Sequence, residues 1–398
     1  MLLGDIAKVK GGKRLPKTDQ LVSYKTNHPY IRIRDMYQTY PLELNDEFEY
    51  ITDDTHEKIK RYTVEEGDVI LAVVGNTIGL VSLIGESLDG ANLTENCNKI
   101  VDLQLYDNKF LYYFLSSKQG QEEIKKGIIG SSQPKLPIYN IEKFEIPEIS
   151  LDSQKKIVSV LETIDKKINI NEKINDNLES QLLLIYKSWF IDLEPFNKIL
   201  PDDWGSSPLG EKCSCLLGGT PSRNKPEFWN GTIPWINSGK VNSFRIIEPS
   251  EYITVLGLEK SATKLLPAKT VVIAITGATL GQVSLLEIDS CANQSVVGIL
   301  QNEEIPYEFI YPFIKFKINE LISHQTGGAQ QHINKQNVEN IIIQIPSKNV
   351  MKKYINTVSP MYELIENICI ENQKLLQLRN TLLPKLISGE LDISDIEF

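Results

Sequence analysis

The sequence lacks long hydrophobic runs and has few residues of the kinds that bind metals. No apolar stretch approaches the roughly 18 residues that a membrane span requires. The N-terminus also lacks the apolar stretch and small-residue cleavage site of a secretory signal. The 398 residues are 41% hydrophobic and 24% charged, the composition of a soluble globular chain with room for two domains. We therefore expect a cytoplasmic protein.

Cysteine and histidine are too few and too scattered to indicate a disulfide framework or a metal centre. The five cysteines are odd in number and widely spaced, which fits a reducing compartment. Cys213 and Cys215 are the one close pair in the sequence, and none of the four histidines has ligand spacing, so we expect no zinc site. No Gly-x-x-x-x-Gly-Lys phosphate loop occurs, which excludes an ATP-driven motor.

Two fragments resemble catalytic motifs, but both are incomplete. The fragment at 27–30 has histidine in place of the first proline of the Asn-Pro-Pro-Tyr motif of adenine methyltransferases, and no Gly-x-Gly cofactor loop precedes it. The fragment at 123–125 has the Glu-x-Lys spacing of nucleases, yet no acidic residue in a Pro-Asp context accompanies it to bind magnesium. Exposed helix charge explains the second fragment better. We predict no catalytic residue and no metal ligand.

Charge is segregated along the chain. The net charge of −10 argues against indiscriminate DNA coating, because phosphate contacts need Lys and Arg. Residues 1–35 nevertheless hold eight basic and three acidic side chains, and residues 212–245 hold five basic side chains against Glu227 alone. Residues 43–68 have the opposite balance, with ten acids against three bases. These blocks could form faces of opposite charge.

A long internal repeat sets the architecture. Residues 3–12 return as 209–219, and residues 69–79 return as 271–281, at an offset of 202 to 206. Within each half, β-branched runs between Gly and Pro predict short strands, at 30–34, 69–74 and 100–105 in the first half. We predict an α+β protein with two similar mixed α/β domains related by a pseudo-two-fold repeat. The strand topology stays open.

Each half ends in a segment that predicts a long helix. Residues 151–191 contain no Gly or Pro and repeat apolar residues with the two-position heptad seam of a coiled coil. At about 1.5 Å per residue this helix would be a rod of roughly 60 Å. The second copy is interrupted by Pro360 and Pro384. Asn171 and Asn372 fall at the same seam position, which suggests that the two helices face each other; separate helices on separate cores are the alternative.

The predicted seam residues of the two helices are, in the first helix, Ile157, Leu161, Ile164, Ile168, Asn171, Leu178, Leu182 and Ile185, and in the second, Val358, Ile365, Asn372, Leu376 and Leu383. Two similar domains held apart by paired helices suit a ligand with two similar sites. Duplex DNA presents such sites about 34 Å apart, one helical turn along its axis.

Four pairs of corresponding loops hold polar residues that could read DNA. The first pair is 11–17 and 218–225, the second 30–35 and 235–240, the third 75–77 and 277–279, and the fourth 130–135 and 327–332. Arg, Lys, Asn and Gln recognise base edges, whereas Ser, Thr and backbone amides bind phosphates, and glycines would let backbone approach a phosphate. The candidates in the first half are Lys13, Arg14, Lys17, Arg32, Arg34, Asn76, Thr77, Ser132, Gln133 and Lys135. Those in the second half are Thr220, Ser222, Arg223, Lys225, Asn237, Ser238, Lys240, Thr279, Gln330, Gln331 and His332. The halves keep similar glycine frames but differ in these polar residues, as readers of different half-sites should. Each loop alone could equally be a solvated turn.

With these motifs, the sequence resembles the specificity subunits of Type I restriction-modification systems over nearly its whole length. The resemblance is carried by the Leu-Gly-Asp/Glu opening of each half and by three further segments, 188–196, 200–204 and 386–391. One departure is that Leu3 opens the first domain, so the short segment that usually precedes it is nearly absent.

The resemblance implies a non-catalytic DNA-recognition subunit. Its two target-recognition domains, joined by two antiparallel helices, would each read one half of an asymmetric, interrupted sequence. It also implies two adenine methyltransferase subunits as partners, which bind S-adenosylmethionine and dock on the helices, and a motor-nuclease restriction subunit that uses ATP and Mg. The chain itself would bind no cofactor. The implied divisions are 1–150 and 209–347 for the recognition domains, 151–191 and 348–388 for the spacer helices, 192–208 for the linker and 389–398 for the tail.

Three other interpretations stay open. A self-sufficient methyltransferase or nuclease would modify DNA as the purified chain, given S-adenosylmethionine or magnesium. A structural coiled-coil adaptor would give no sequence-dependent protection of DNA. A related defence system could use a similar reader with different enzymes, which its neighbouring genes would identify.

Overall fold

A computed structural model describes residues 1–37, 40–323 and 333–391, and it divides into two compact units. Unit 1 comprises Met1–Ile170 and Gln373–Phe398, whereas unit 2 comprises Asn171–Asn372. Two long helices, Leu151–Tyr186 and Lys348–Ser388, each contribute one part to unit 1 and another part to unit 2. Among the described residues, no helix is both long and apolar enough to span a membrane.

Unit 1 is built on an antiparallel four-stranded sheet. The strand order is Lys8–Gly11, Cys97–Val101, Val69–Ala72, Val81–Leu83, and a short parallel pair joins Tyr30–Ile31 to Asn92–Leu93. Val69–Ala72 is fully buried, as its run of aliphatic residues favours. The α-helices other than the long ones are Leu3–Ile6, Asp53–Ile59, Asn108–Ser116, Lys118–Gly127 and Ile138–Ile141. The 3-10 helices are Ile33–Tyr37, Gly75–Thr77 and Glu86–Leu88.

Unit 2 repeats this sheet with larger additions. Its strands Cys215–Leu217, Val296–Ile299, Val271–Ala274 and Val283–Leu285 follow each other in the same antiparallel order as their counterparts in unit 1. A second sheet has the order Glu251–Ile253, Trp229–Ile236, Ser290–Ala292, Leu265–Leu266, and Gly205–Pro208 pairs with Ile342–Ile345. The helices of this unit are Leu209–Lys212, Val255–Glu259, Tyr307–Ser323 and Lys335–Glu339, with 3-10 helices at Pro226–Phe228, Ser238–Asn242 and Gly277–Thr279. A π-helix at Lys187–Ile191 and a 3-10 turn at Glu194–Phe196 follow the first long helix. The shared strand order confirms two similar α+β domains.

The long helices pack antiparallel within each unit. In unit 1, Leu161 of the first helix and Leu386 of the second belong to one buried core. In unit 2, the Nδ2 of Asn171 donates a hydrogen bond of 2.7 Å to the Oδ1 of Asn372. One turn further along, Asn175 contacts Cys369, so residue numbers rise on one helix as they fall on the other. Facing helices are therefore correct, and separate helices on separate cores are not.

Several sequence-based expectations for these elements need correction. Leu376 was placed in the helix seam but is 38% exposed, and in unit 1 the helices are instead joined by an ion pair of 2.7 Å between Arg379 and Asp165. The prolines at 360 and 384 do not break the second helix, because Val358 and Tyr362 on either side of the first proline are buried in the core of unit 2.

The predicted strands at 30–34 and 100–105 are displaced. The first strand ends at Ile31, because the Asp35 carboxylate accepts a 2.8 Å hydrogen bond from the Arg32 N–H and closes a 3-10 turn. The second strand begins earlier, at Cys97, and ends at Val101, just before Asp102 takes the left-handed backbone region at φ 57°.

A buried arginine joins the globular part of unit 2 to the helices. The Arg245 side chain is 0% exposed, and its Nη1 donates to the carbonyl oxygen of Phe244 at 2.8 Å and to the hydroxyl of Tyr311 at 3.2 Å. The Oε1 of Glu287 lies 3.7 Å from its Nε, and the Oε1 of Glu179 lies 3.8 Å from its Nη1. Glu179 belongs to the first long helix, so this contact fastens the domain to that helix.

Lys269 extends the same cluster to the second long helix. Its Nζ contacts the carboxylate of Glu287 and lies 2.8 Å from the Oε2 of Glu366. Burial raises the pKa of the Glu287 carboxyl, and Lys269 and Arg245 offset only part of that rise. In unit 1 the corresponding connection is smaller: Asp165 accepts hydrogen bonds from the Tyr113 hydroxyl and from Arg379.

Candidate nucleic-acid interface

The first and third predicted loops of each unit leave the four-stranded sheet at the same end. In unit 1, Gly11 at the end of its strand is paired with Asn98, and Ala72 at the end of its strand is paired with Cys97. The segments that follow Gly11 and Ala72 therefore leave the sheet at the same end of its strands. The register of the sheet in unit 2 is equivalent, with Leu217 opposite Val297 and Ala274 opposite Val296.

The glycines of the first loop pair serve close backbone packing. A Cβ on Gly12 would lie 2.0 Å from the carbonyl oxygen of Thr94, and a Cβ on Gly218 would lie 2.1 Å from that of Asn293. The two glycines therefore occupy equivalent places beside equivalent strands. The expectation that these glycines exist to let backbone approach a phosphate is not needed to explain them, because the protein's own backbone already requires glycine there.

The first and second loops are joined by an equivalent hydrogen bond in each unit. The Tyr30 hydroxyl donates to the carbonyl oxygen of Lys13 at 2.8 Å in unit 1. In unit 2 the indole Nε1 of Trp235 donates to the carbonyl oxygen of Gly219 at 3.1 Å. Different aromatic residues thus hold the same two loops together.

The second loop of each unit begins a five-residue 3-10 helix that a polar side chain stabilises. In unit 2 the Oδ1 of Asn237 accepts a 3.1 Å hydrogen bond from the Lys240 N–H, and the Nζ of Lys240 lies 2.9 Å from Glu248. In unit 1 the two arginines of this loop differ in exposure: the Arg32 side chain is 16% exposed and the Arg34 side chain 62%. Arg32 is held by Asp35 and Glu49, so its guanidinium is largely committed to the protein.

The third loop is a single 3-10 turn with a left-handed glycine at its start. Gly75 has φ 67° and Gly277 has φ 73°, a region that favours glycine. The Thr77 hydroxyl donates to the carbonyl oxygen of Val74 at 2.8 Å and so closes the turn in unit 1. Asn76 is exposed, and Thr279 of the equivalent turn is half-buried.

The fourth loop contacts the third in unit 1. The N–H of Gly75 donates to the carbonyl oxygen of Pro134 at 2.9 Å, and Val74 and Lys135 form an antiparallel bridge. Ser132, Gln133 and Lys135 are exposed on this loop. The corresponding candidates of unit 2, Gln330, Gln331 and His332, lie outside the described residues.

A turn at 94–96 lies between the first loop of unit 1 and the segment that leads into its third loop. The N–H of Lys13 donates to the carbonyl oxygen of Leu93, the residue before this turn, and the N–H of Val73 donates to that of Asn96 within it. The Nε of Arg14 lies 2.5 Å from the Oε1 of Glu95. Burial acts to raise the pKa of Glu95, but the hydrogen bonds from Arg14, Thr94 and the backbone, together with the charge of Arg14, hold that pKa below its ordinary value.

The equivalent turn of unit 2 carries a neutral pair. There the Thr220 hydroxyl donates to the Oε1 of Gln294 at 2.5 Å. Lys13 and Gly219 occupy equivalent positions, and Arg14 and Thr220 are the residues that follow them. The same contact is therefore ionic in unit 1 and uncharged in unit 2. A different pattern of donors at the same place is what two different half-sites would require.

Most of the candidates are accessible. Those that are exposed are Lys13, Arg14, Lys17, Arg34, Asn76, Ser132, Gln133, Lys135, Ser222, Arg223, Lys225 and Asn237. Those that are half-buried are Arg32, Thr77, Thr220, Ser238, Lys240 and Thr279.

The sequence analysis overlooked the acceptors that partner these side chains. Glu49 and Glu95 of unit 1, and Glu251 and Gln294 of unit 2, each contact a candidate from a different segment of the chain. A signal existed: the tetrapeptide Glu-Tyr-Ile-Thr occurs at 49–52 and again at 251–254. This repeat opens with an acid, so it is absent from a set of candidates chosen for basic, amide and hydroxyl side chains.

A family model described as the Type I restriction modification DNA specificity domain matches the chain twice, over residues 1–180 and 201–379. The two matches correspond to the two halves of the internal repeat.

Relatives of known designation extend over most of the chain. The Type I restriction enzyme MjaIX specificity subunit of Methanocaldococcus jannaschii is 26% identical over 98% of this chain and 93% of its own length. The HindI specificity subunit of Haemophilus influenzae is 22% identical, covering 82% of this chain and 87% of its own. The crystal structure of a Type I restriction-modification S subunit from M. genitalium has a TM-score of 0.54 with 18% identity, over 97% of this chain and 95% of that one. That structure supports the fold.

Proposed function

Because the chain belongs to the Type I restriction-modification DNA specificity family, a family of DNA sequence recognition, we propose that each unit reads one half of a bipartite, asymmetric DNA sequence. One observation carries this proposal. The two units present the same loop frame at the same end of the same sheet, but with unlike polar side chains at equivalent positions.

The unlike positions are those that can discriminate bases. On closely matched backbone, Arg14 is replaced by Thr220, and the exposed Asn237 takes the place of Arg32, whose guanidinium is held by Asp35 and Glu49. Arginine pairs with guanine O6 and N7, whereas asparagine pairs with adenine N6 and N7, so such exchanges change the preferred base. The lysines and hydroxyl residues of the same loops would bind phosphates and set the register on the duplex.

The proposal assigns the chemistry to partners. The chain would act in the cytoplasm without a catalytic site or cofactor of its own. Two adenine methyltransferase subunits would dock on the long helices and bind S-adenosylmethionine. A restriction subunit would supply ATP-driven movement and Mg-dependent cleavage. The family membership and the loop frame that both units share support this assignment of roles.

A domain exchange tests the bipartite reading. Residues 1–150 are replaced by those of a relative with a different specificity, and the chimera is expressed with the methyltransferase subunit in cells whose genome is then mapped for methylated adenines. We expect one half of the methylated sequence to change while the other half and its adenine are retained. A change in both halves would contradict the assignment of one half to each unit.

Single substitutions test the reading loops. Arg34→Ala and Arg223→Ala should each weaken or relax one half-site, and by about 1–3 kcal/mol where the contact is bidentate. Equal loss at both half-sites would contradict this prediction. Methylation by the purified chain alone, given S-adenosylmethionine, would support a catalytic subunit instead. A chain that gave no sequence-dependent protection of DNA even with the methyltransferase present would be an adaptor.

A further inference from the structure

Glu49 and Glu251 occupy equivalent positions in the two units. Each opens a Glu-Tyr-Ile-Thr segment whose threonine caps a short helix, with Thr52 accepting from the Thr55 N–H and Thr254 accepting from the Gly257 N–H. The backbone of each glutamate also borders the aromatic residue of the second loop. The Tyr30 N–H donates to the carbonyl oxygen of Glu49 at 3.0 Å, and Glu251 is paired with Trp235 in the sheet.

The arginines that these glutamates hold come from different loops. Glu49 contacts Arg32 and Arg34 of the second loop, with 3.0 Å between its Oε2 and the Nη2 of Arg34. Glu251 contacts Arg223 of the first loop, through hydrogen bonds of 2.6 and 2.8 Å from Nη1 and Nη2. The acid has thus kept its place in the repeat although the arginine has not. An ion pair that merely joined two fixed neighbours would have kept both partners.

Arg223 is restrained on two sides. Its guanidinium lies 3.6 Å from the ring centroid of Trp229 and 5.3 Å from that of Trp235. The indole Nε1 of Trp229 donates to the carbonyl oxygen of Ser222 at 3.2 Å, which fixes the backbone just before the arginine. An arginine side chain loses rotamer entropy on binding, and this clamp removes much of that cost in advance.

The clamp leaves part of the guanidinium free to contact DNA. Glu251 accepts from both terminal nitrogens end-on, so the edge formed by Nε and one Nη keeps N–H groups for a base or phosphate. The Arg223 guanidinium also holds the pKa of Glu251 below its ordinary value, so the carboxylate stays charged at neutral pH. Arg34 is tethered by Glu49 at Nη2 and has Asp35 3.7 Å from its Nε, while its side chain remains 62% exposed.

We propose that Glu49 and Glu251 are positioning residues that hold Arg34 and Arg223 in the orientation in which they read DNA. This inference rests on the proposed function of the two units as half-site readers. It differs from a simple charge effect. A carboxylate that only lowered the local positive charge would weaken binding to all DNA, and its removal would strengthen that binding.

The test uses the full-length chain assembled with its methyltransferase subunits and a library of duplexes with randomised half-sites. Glu251→Gln keeps the size and one acceptor but removes the charge. We expect about a tenfold loss of discrimination at one or two bases of the half-site read by unit 2, with the other half-site unchanged. Glu49→Gln should have the reciprocal effect. The control is Glu57→Gln, which removes an exposed carboxylate that pairs with Lys60, three residues further along the chain.

A double variant shows whether the glutamate acts through the arginine. Glu251→Gln combined with Arg223→Ala should discriminate no worse than Arg223→Ala alone, because the arginine that the carboxylate positions is already absent.

Three outcomes would overturn the inference. Glu251→Gln could keep its discrimination and show tighter binding with a steeper salt dependence, which is a charge effect. The losses of the two single variants could add. Glu251→Gln could also abolish all methylation while Arg223→Ala retains it, because the residue would then support the fold. If the unaltered chain selected no sequence, the proposed function would fail instead.

Discussion

The two units share a backbone frame, but different side chains are buried where each domain packs against the long helices. In unit 2, Lys269 has φ 65° and its N–H donates to the carbonyl oxygen of Leu286. In unit 1, Gly67 has φ 82° and makes the same backbone contact with Ile84. Glu287 is likewise matched by Gly85, since each donates its N–H to the strand segment beside it, at Ile246 and Leu42.

The difference shows which part of a duplicated structure is retained. The turns and their hydrogen bonds are the same in both units, whereas a pair of side chains that carries a buried ion cluster in one unit is replaced by two glycines in the other. Backbone geometry therefore defines the domain, and the buried charges are an addition to it. Such charges lose solvation and are stabilising only when every member has a partner.

The largest expected effect comes from removing the buried arginine of unit 2. Arg245→Ala should lower the free energy of unfolding of unit 2 by about 3 kcal/mol, because Glu287 loses one of its cations and the aromatic rings around the guanidinium lose a packing partner. Hydrogen exchange of the amides in Val271–Ala274 and Val296–Ile299 measures this directly. Amides of Val69–Ala72 in unit 1 serve as the internal control. Equal destabilisation of both units would contradict the local role given to Arg245.

Arg379→Ala should cause a smaller loss in the free energy of unfolding of unit 1. Its side chain is 26% exposed, and Asp165 would still accept a hydrogen bond from the Tyr113 hydroxyl. We expect unit 1 to lose about 2 kcal/mol, the value typical of one hydrogen bond to a buried charge. Hydrogen exchange of the same three strands gives the comparison, with exposed Lys374→Ala as the control. A loss larger than that of Arg245→Ala would reverse the order we derive from burial.

The helix seam of unit 2 should gain stability from Asn175→Leu. The Nδ2 of Asn175 makes only a weak 3.5 Å contact with the sulfur of Cys369, and its buried Oδ1 has no hydrogen-bond partner among the described residues. The equivalent residue of the second helix is already leucine, at position 376. Relieving the unpaired amide should raise the unfolding free energy of unit 2 by about 1 kcal/mol, measurable by urea denaturation.

Asn171→Leu is the matched variant for that seam. Asn171 has a partner in Asn372, so its replacement removes a hydrogen bond from the half-buried Asn372 amide and should be destabilising. If both leucine variants stabilised unit 2 equally, the hydrogen bond between the two asparagines would have no role in pairing the helices.

The pKa values of acidic residues also differ between the units. In unit 1, hydrogen bonds from Lys58 and Lys8 lower the pKa values of Asp19 and Asp102. In unit 2, burial raises the pKa values of Glu172 and Glu287, while Glu251 beside Arg223 is lowered. The folded state of unit 1 is therefore stabilised by ionised acidic side chains, whereas that of unit 2 is stabilised in part by acidic side chains in their neutral form.

Acidification should change the relative stabilities of the two units, and this is the smallest of the four effects predicted here. The raised groups of unit 2 contribute stability that is full below the ordinary glutamate pKa of 4.5 and is lost as pH rises through their folded values. The lowered aspartates of unit 1 contribute stability above their ordinary pKa of 3.8 that is lost as pH falls through their folded values. From pH 7 to 4.5 unit 2 should gain on unit 1, and below pH 4 unit 1 should lose stability.

Unit-resolved hydrogen exchange, corrected for the intrinsic pH dependence of exchange, measures this change. Glu172→Gln should flatten the gain of unit 2, because it removes a buried carboxyl that acidification would neutralise. A gain in unit 1 over the same range would mean that its exposed ion pairs contribute nothing to its stability.

Much of the architecture was predictable because it is written as repeats. The offset between the halves and the heptad pattern led to two similar domains and facing helices, and Asn171 and Asn372 were correctly predicted to face each other. The first and third loops leave the four-stranded sheet at the same end in each unit, because the strands before them both pair antiparallel with one shared strand.

The remaining errors have physical causes that periodicity does not express. A carboxylate that closed a turn ended the strand at Ile31, and tertiary packing carried the second long helix through two prolines. The Arg245 cluster left no pattern, since its members come from five separate segments. The acids that pair with Arg34 and Arg223 do not follow from the sequence pattern, because complementary charge depends on the fold rather than on spacing.

The division of the long helices between the units has a consequence for synthesis on the ribosome. Unit 2 is one uninterrupted stretch, Asn171–Asn372, and all of it is made before the last part of unit 1. Leu383, Leu386 and Ile387 complete the core of unit 1, so the domain translated first is the last to close. Until those residues emerge, the apolar face of the first helix around Ile157 and Leu161 stays open, and a nascent chain at this stage is a natural client for a chaperone.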